Sequence, residues 1–371
     1  MKMKIAYLIN HQIWRNDGVT KKIAVQTDAW RTEGHEVEVF CITRKLGESI
    51  LKSHQYHLEN PIIGRLIPNR GLIKDISAFN PDIVYLRYDL WSATIARITS
   101  KYNTVAELNS LDVDEYRLLM LKEKTVKAFI RYLAYILFRG SLFRKLKGIV
   151  AVTNEIAADQ SVKRFSLPTT IVPNGIDLKK YSTLNRRNDP ADPLRLFFIA
   201  TPGQPWHGVD FIEEIAEKIP EMEFHIIGIK AKIEISDNKS TEPKNLFWHG
   251  YLKQEEYVSI IKTCHIGIGS LALFRNKMYE ACPLKVREYL AYGFPIILGY
   301  KDTAFLKEPM PDYVLELNLS AEGVTTDVVR LIRDFCLMRR YRVIGSEELS
   351  RIDAGKLEHK RLEFFANIKD F

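Results

Sequence analysis

Two glutamates and one lysine around a short predicted helix have the types and spacing that can do chemistry. Pro283 suits the first position of a helix and Gly293 suits the residue just past its end, which predicts a helix over 283–292. Its first turn leaves backbone N–H groups free, and Lys285 adds a full positive charge where cations are normally unfavourable. A local rule broken in this way is expected where an anion binds, so the segment predicts an anion site.

The two acids flank this predicted site. Glu280 precedes the helix and Glu288 lies within it, with seven residues between them. One carboxylate can then face a reacting ligand while the other reaches the hydroxyl groups of a ribose. The alternative is that Glu288 pairs with Lys285 on the preceding turn and that Glu280 is a solvated loop residue.

The turn that contains Gly18 is a second candidate for anion binding. It lies between a predicted strand and a predicted helix, where a glycine lets backbone amides approach a phosphate. The dinucleotide fingerprint G-x-G-x-x-G is missing, and Ile42-Thr43-Arg44 at the end of the second strand offers no acid for a ribose. These absences argue against a nicotinamide dinucleotide, and a plain turn glycine is the alternative.

Both halves of the chain alternate between apolar, β-branched strands and helical patterns, which indicates parallel sheets covered on both faces. In the first half the predicted strands cover residues 4–10, 35–43, 82–88, 103–108, 148–153 and 169–173. In the second half they cover residues 194–200, 223–228, 245–250, 265–270, 294–300 and 312–317. The polar stretch 182–193 contains two prolines and is predicted to be a linker.

The predicted fold is therefore α/β, with two doubly wound Rossmann-like domains facing across a cleft. The first domain is predicted to cover residues 1–181 and the second to cover residues 194–350. Residues 351–371 are predicted to form a C-terminal helix that can cross back to the first domain. Ligands of such sheets bind beyond the carboxyl ends of the strands.

The composition excludes several classes of protein. With 46% hydrophobic residues and scattered glycine and proline, the 371-residue chain is neither disordered nor collagen-like. The four cysteines have neither metal-ligand nor redox-pair spacing, which fits a reducing cytosol. The sequence shows no signal-peptide pattern and no run of 18 apolar residues, so we expect a soluble intracellular protein.

The net charge of +8 is concentrated in one segment, because residues 117–147 carry nine basic residues and one acid. Cations and large apolar residues of this segment fall on helical stripes: Lys124, Lys127 and Arg131 on one, Phe129, Leu133 and Ile136 on another. This mixture is typical of a helix that lies on an anionic bilayer, so membrane contact is predicted. A solvated face of a buried helix is the alternative, and no nucleic-acid partner is predicted.

Several motifs together resemble one enzyme family. Glu280 and Glu288, followed by Ala-x-Gly-x-Pro at 291–295, resemble the donor-site signature of the retaining, family-four type glycosyltransferases with the GT-B fold. Three further motifs similar to the family's follow in the same order along the chain: Asp17-Gly18-Val19 with Gly34-His35-Glu36-Val37, Val172-Pro173-Asn174-Gly175-Ile176-Asp177, and Trp206-His207-Gly208-Val209-Asp210. The resemblance extends from about residue 4 to about residue 310.

The resemblance implies a role for each matching residue. Glu280 would face the donor sugar, and Glu288 would hold the nucleotide ribose. The diphosphate would be held by backbone amides near Pro283, Leu284 and Lys285, with Gly18 approaching from the other domain. Tyr251 follows a predicted strand at the place where such enzymes often contact the base, and a tyrosine that merely ends a strand is the alternative.

Two departures from the family pattern concern the diphosphate and the acceptor. His207 stands where most relatives have a lysine, and the accompanying arginine is missing, so His207, or the nearby Arg275 or Lys277, is predicted to replace this clamp. Glu107 and Asn109 stand where relatives often have a histidine, and alternate strand positions point both side chains the same way. They are predicted to position the substrate for catalysis, with Asn109 as a helix cap being the alternative.

The sequence thus predicts a retaining hexosyltransferase that uses a UDP- or GDP-linked sugar donor. The segments 206–208 and 283–289 resemble those of relatives in bacterial capsule, exopolysaccharide and O-antigen assembly, which implies a glycan or lipid-linked acceptor and a place on the inner face of the cell membrane. No cofactor or metal is expected, because Asp112-Val113-Asp114 lies in the first domain, away from the predicted diphosphate. A nucleotide-sugar epimerase of the same fold and a catalytically inactive nucleotide-sugar-binding partner subunit are the alternatives.

Overall fold

The computed structural model describes residues 2–13, 17–59, 63–186, 189–230, 243–306 and 309–369. The chain forms two compact units, one from Met1–Asp177 together with Asp353–Phe371 and the other from Leu178–Ile352. The division therefore follows residue 177 and not residue 181. Part of the predicted linker packs on the second unit, because Arg186 is buried and donates hydrogen bonds to the carbonyl oxygens of His265 and Arg342.

The first unit contains a sheet of seven parallel strands in the spatial order β3-β2-β1-β4-β5-β6-β7. The strands are β1 (Lys4–Asn10), β2 (Glu36–Thr43), β3 (His54–His57), β4 (Ile83–Arg87), β5 (Thr104–Leu108), β6 (Gly148–Ala151) and β7 (Thr169–Ile171). Residues 5–9 of β1 are all buried, as expected of a central strand that is covered on both faces.

Helices connect these strands. They are α1 (Gly18–Thr32), α2 (Ile63–Leu66), α3 (Arg70–Phe79), α4 (Ala93–Thr99), α5 (Asp112–Glu123), α6 (Val126–Phe143), α7 (Asn154–Ala158) and α8 (Gln160–Lys163). Asp17, Ser92 and Thr125 each accept a hydrogen bond from a backbone N–H of the first turn. These side-chain caps explain why α1, α4 and α6 begin where they do.

The basic segment forms two helices where the sequence predicts one stripe. Lys124 has a left-handed backbone, with φ 50° and ψ 34°, and ends α5 before Thr125 caps α6. Lys124 therefore shares no helical stripe with Lys127 and Arg131, and that part of the prediction is wrong. The reason is local, because a left-handed residue stops the helical repeat on which the stripe depends.

The second unit contains a sheet of six parallel strands in the order β10-β9-β8-β11-β13-β15 and a small pair, β12 with β14. The strands are β8 (Leu194–Ile199), β9 (Met222–Ile227), β10 (Leu246–Trp248), β11 (Ile266–Ile268), β12 (Glu280–Ala281), β13 (Ile296–Leu298), β14 (Lys301–Asp302) and β15 (Val314–Glu316). The helices are α9 (Val209–Lys218), α10 (Gln254–Ile261), α11 (Leu284–Ala291) and α12 (Thr326–Arg339).

The last helix, α13 (Ala354–Lys369), belongs to the first unit. The indole N–H of Trp30 on α1 donates to Glu358 on α13 at 2.8 Å, and both side chains are buried. The ring of Phe365 packs edge-on against Trp30, with centroids 5.5 Å apart. Residues from the end of the chain thus complete the core of a unit built mainly from its beginning.

Both large sheets have the doubly wound strand order, which confirms the predicted α/β fold with two Rossmann-like domains. The order reverses between β1 and β4 in the first unit and between β8 and β11 in the second. Open α/β sheets bind ligands beyond the carboxyl ends of the strands at such switch points. Within the described ranges, no helix is both long and apolar enough to cross a bilayer.

Candidate functional site

Lys285 lies at the carboxyl end of β8, beside the switch point of the second unit. Its Nζ donates a hydrogen bond to the carbonyl oxygen of Ile199 at 3.0 Å and lies 3.9 Å from the ring centroid of Phe198. In the part of the chain that the structure describes, no carboxylate pairs with this ammonium group. Burial lowers the pKa of Lys285 to about 7, because desolvation disfavours the charged form. An anionic ligand could therefore pair with the Lys285 ammonium group.

The N-terminus of α11 supports the same site. Pro283 is the residue before the first turn, with φ −65° and ψ 138°, and its carbonyl accepts hydrogen bonds from the N–H groups of Val286 and Arg287. The N–H groups of Leu284 and Lys285 come earlier and have no acceptor inside a helix. The helix covers Leu284–Ala291, within the predicted range 283–292.

Glu288 is held by the neighbouring helix α10. Its Oε1 accepts hydrogen bonds from the hydroxyl of Tyr257 at 2.7 Å and from the amide of Gln254 at 3.0 Å. The alternative of an ion pair between Glu288 and Lys285 is wrong, because among the residues that the structure describes no carboxylate lies within ion-pair distance of the lysine Nζ. Contact between Glu288 and a ribose stays a prediction.

A buried ion pair fixes the strand that carries Glu280 to α11. In β14, which pairs with β12, Asp302 accepts hydrogen bonds from both terminal nitrogens of Arg287 at 2.6 and 2.8 Å. Neither side chain has exposed surface. Arg287 and Asp302 were missed from the sequence, where the only signal was a charged residue inside an otherwise apolar helix face. The pair sets the distance between the helix of Lys285 and the strand of Glu280, whose contact with a sugar stays a prediction.

His207 lies in the turn Pro205–His207 and is buried beside Phe198, with ring centroids 5.6 Å apart. Its Nδ1 faces the N–H of Thr201 at 3.3 Å. Burial, and then the charge of Lys285, lowers the pKa of His207 to about 3, so the imidazole is neutral. With Nδ1 accepting, the proton is on Nε2, which can donate a hydrogen bond to a phosphate. His207 therefore offers a donor but not the positive charge of the family's lysine.

Arg275 holds the turn that carries His207 and is not aimed at a ligand. Its guanidinium donates to both carboxylate oxygens of Asp210, at 2.5 and 2.9 Å, and to the carbonyl of Pro205 at 2.9 Å. Its charge is therefore matched by Asp210, and its replacement of the clamp stays a prediction. Tyr251 is 84% exposed, and its contact with a base stays a prediction.

In the first unit, the start of α1 at Gly18 is already occupied by a carboxylate. Asp17 accepts a hydrogen bond from the N–H of Thr20 at 3.0 Å and pairs with His11 at 2.9 Å. Burial opposes ionisation of Asp17, but the hydrogen bonds from His11 and Thr20 lower its pKa. Asp17 thus caps the helix end at the N–H of Thr20, and contact between Gly18 and a diphosphate stays a prediction.

Glu107 is buried in a charged cluster at the end of β5 and has no exposed surface. Its carboxylate pairs with Lys22 at 2.7 Å, Arg87 at 3.0 Å and Arg361 at 3.5 Å. Burial opposes ionisation of Glu107, but these three cations lower its pKa well below the usual range. Burial lowers the pKa of Lys22 to about 8. The predicted contact between Glu107 and a substrate is wrong, because the carboxylate is fully buried and paired with these cations.

Asn109 is half-buried at the edge of this cluster. Its Oδ1 accepts hydrogen bonds from Lys22 at 3.1 Å and Arg87 at 3.0 Å. The alternative of a helix cap is wrong, since the residue before α5 is Leu111. Asn109 therefore positions the two cations, and its contact with a substrate stays a prediction.

An apolar surface is exposed along α6. We define the α6 surface by its large exposed side chains: Val126, Phe129, Ile130, Leu133 and Leu137. Phe129 is 51% and Leu133 44% exposed, whereas the third predicted apolar residue, Ile136, is only partly exposed. Lys127 and Arg131 are exposed on the same helix, and Arg131 pairs with Glu123 at 2.8 Å. The opposite side of α6 is buried at Ala128, Tyr135 and Leu142, so both membrane contact and the alternative of a solvated face on a buried helix stay predictions.

The Asp112-Val113-Asp114 sequence is used for packing. Asp112 pairs with the buried Arg139 at 2.5 Å and accepts from Tyr135, and Asp114 pairs with Arg117 at 3.1 Å. Over the described ranges, no three His, Cys, Asp or Glu side chains are grouped closely enough to hold a metal ion.

Comparison with known proteins bears on the fold. Residues 17–180 match a family model described as Glycosyltransferase Family 4, and no curated protein matches the chain. Three solved structures are similar over nearly the whole chain. Sucrose-phosphate synthase from Thermosynechococcus elongatus has 14% identity and a TM-score of 0.70, with 99% of each chain covered. Anabaena HepE in complex with UDP and glucose has 12% identity and a TM-score of 0.63 (98% of this chain, 100% of that one), and the lipopolysaccharide outer core galactosyltransferase WaaB has 12% identity and a TM-score of 0.62 (98% of this chain, 99% of that one). The fold is therefore that of the GT-B glycosyltransferases, and the family match is confined to residues 17–180.

Proposed function

We propose that this chain is a glycosyltransferase that takes a sugar from a UDP- or GDP-linked donor and retains the anomeric configuration. The observation that carries the proposal is the unpaired, desolvated ammonium of Lys285 at the carboxyl end of β8, beside the N-terminus of α11. The Glycosyltransferase Family 4 match over residues 17–180 supports the same class of reaction.

The chemistry follows from where charge develops. When the bond between the sugar and the diphosphate breaks, negative charge grows on the leaving phosphate. The ammonium of Lys285, the Nε2–H of His207 and the first amides of α11 would stabilise that charge without rearranging. The acceptor hydroxyl bonds to the anomeric carbon and gives its proton to the leaving phosphate. In this proposal Glu280 binds the sugar and Glu288 the ribose, and no metal is needed.

The acceptor is proposed to be a lipid-linked glycan at the inner face of a bacterial membrane, in surface polysaccharide assembly. The α6 surface supports this, because five large apolar side chains are exposed beside Lys127 and Arg131. Apolar residues that enter the interface and cations that meet anionic headgroups are the two contributions that hold such a helix on a bilayer.

The experiment follows nucleoside-diphosphate release from a panel of UDP- and GDP-sugars in buffer containing EDTA. We expect slow hydrolysis of one donor by the wild type and at least a hundredfold loss in Lys285→Ala, in line with the loss of one electrostatic donor of about 2.7–4 kcal/mol. Lys262→Ala, an exposed lysine at the end of α10, is the matched control and should keep full activity.

The alternatives give different products in the same assay. An epimerase would change the donor sugar without transferring it to an acceptor, and an inactive partner subunit would bind the donor without turnover. Either result, or full activity in Lys285→Ala, contradicts the proposed transferase.

A further inference from the structure

A cavity of about 260 Å³ lies at the switch point of the first unit. Its lining includes Asn10 at the end of β1 and the following His11, Arg87 at the end of β4, and Asn109 after β5. These are carboxyl ends of neighbouring parallel strands, where an open α/β sheet binds its ligand. The cavity is smaller than the roughly 300–1,000 Å³ of drug-sized sites, so it fits one small polar group or one sugar ring.

Arg87 presents an open edge to this cavity. Its Nη1 donates to Glu107 and to Asn109, each at 3.0 Å. Among the residues that the structure describes, no acceptor lies within hydrogen-bond distance of Nε or Nη2, and the side chain is 18% exposed. The Nε–Nη2 edge is a planar pair of donors with the geometry that binds a carboxylate or a phosphate through two parallel hydrogen bonds.

The cluster beneath the cavity carries an excess of positive charge. Three cations, Lys22, Arg87 and Arg361, surround the carboxylate of Glu107. The second carboxylate of this cluster, Glu358, pairs with Arg361. Three positive and two negative charges leave a net charge of one positive, and of the three cations Arg87 is the one that lines the cavity.

The acids that line the cavity do not supply the missing negative charge, because each has a cation of its own. Asp89 accepts a hydrogen bond from Asn10 at 2.9 Å and lies 3.7 Å from Arg65. Asp112 pairs with Arg139 at 2.5 Å. The cavity therefore keeps its positive charge for a ligand.

We propose that this cavity binds an anionic group, a carboxylate or a phosphate, carried by the acceptor, with the Nε–Nη2 edge of Arg87 as its main contact. That the anionic group belongs to an acceptor rests on the proposed function, whereas the anion site itself rests on the geometry of Arg87. Glu107 and Asn109 are positioning residues here, because they accept hydrogen bonds from Nη1 of Arg87 and do not need to touch the ligand.

The test compares three probes that share one sugar ring: glucose, glucuronate and glucose 6-phosphate. Calorimetry on the full chain should give at least tenfold tighter binding of one anionic probe than of glucose, and which probe gains separates carboxylate from phosphate. In Arg87→Gln this preference should disappear. Arg97→Gln, the same change at an exposed arginine on α4, should keep it.

Two further measurements keep the result clear. Arg87→Lys retains a charge beside Glu107 and preserves the fold, but it lacks the planar edge, so at least fivefold of the preference should be lost. In the wild type, the NMR signal of the Arg87 Nε–H should shift with the bound probe. Equal binding of all three probes, no binding, or a preference that survives Arg87→Gln overturns the proposal, and loss of the preference in Lys285→Ala would place the anion site in the second unit instead. None of these measurements needs a nucleotide or turnover, so failure of the proposed transferase activity would be seen separately.

Discussion

The affinity for a donor should depend on pH through Lys285, and this dependence tests whether its ammonium receives the diphosphate. Without ligand, burial holds the pKa of Lys285 at about 7. A bound diphosphate favours the protonated amine and raises its pKa. The contribution of Lys285 to donor affinity is therefore complete well below its pKa of about 7. It is lost as the pH rises through that pKa, which is the value of the free protein. His207 has a pKa of about 3 and does not titrate in this range.

The magnitude follows from the fraction of lysine that is protonated. If only the charged form binds, the apparent dissociation constant scales as 1 + 10^(pH − pKa). With a pKa of about 7, affinity falls about 90-fold between about pH 6 and pH 9, or about 2.7 kcal/mol. A nucleotide sugar suits this measurement, because its diphosphate is esterified at both ends and lacks the second phosphate ionisation near pH 6.

Calorimetric titrations with UDP-glucose and GDP-mannose at several pH values measure this change directly. Lys285→Arg should flatten the profile, since a guanidinium stays charged over the whole range. Lys285→Met should bind weakly at every pH. A wild-type profile that stays flat between about pH 6 and pH 9, or a methionine variant that keeps the wild-type slope, would refute the reasoning.

Two other predictions concern stability and the membrane. Arg287→Met leaves the Asp302 carboxylate buried without the arginine and should lower the free energy of unfolding by about 3–5 kcal/mol in urea titrations. Arg287→Met combined with Asp302→Leu should recover most of that loss. A single variant with unchanged stability would contradict the structural role of the pair. Liposomes rich in anionic lipid should co-sediment the chain and release it at high salt, and Phe129→Ser with Leu137→Ser should reduce binding more than tenfold, since each buried side chain contributes about 1.5–3 kcal/mol. The same change at Leu337 and Met338, which are exposed on α12, is the control, and equal loss in both variants would exclude the α6 surface.

The strands of both sheets could be predicted because buried parallel strands are apolar along their whole length, as in β1 and β8. Three strands escaped prediction. β3 has the sequence HQYH and lies at an edge of the sheet, so one side needs no apolar cover. β12 and β14 have two residues each, too few to show any period.

Part of the candidate site could also be read from the sequence, because Pro283, Lys285 and Gly293 lie close together along the chain. The cluster around Glu107 could not, since Lys22 and Arg361 are far from it in sequence and meet it only through the fold. The alternation of Glu107 and Asn109 correctly placed both at the end of a strand. It could not reveal that three cations surround the glutamate.

The buried cations of this chain differ in what satisfies them, and this difference separates structural from functional charge. Arg139 and Arg287 each donate to both oxygens of one carboxylate, so their charges are matched inside the protein. Arg186 uses both terminal nitrogens on backbone carbonyls. Among the residues that the structure describes, no carboxylate pairs with Lys285, whereas Arg87 shares one carboxylate and keeps an open edge.

Position adds an independent argument. Arg87 ends β4 and Lys285 reaches the end of β8, so each incompletely satisfied cation lies beside the switch point of its own sheet. Leaving a cation desolvated or half-paired lowers the stability of the folded chain, and a bound anion removes that cost. Anions that bind either site should therefore raise Tm, whereas Arg139 and Arg287 leave no donor pair through which an anion could do so. For this reason the proposed anion sites of the two units rest on Arg87 and Lys285 and not on the more numerous paired arginines.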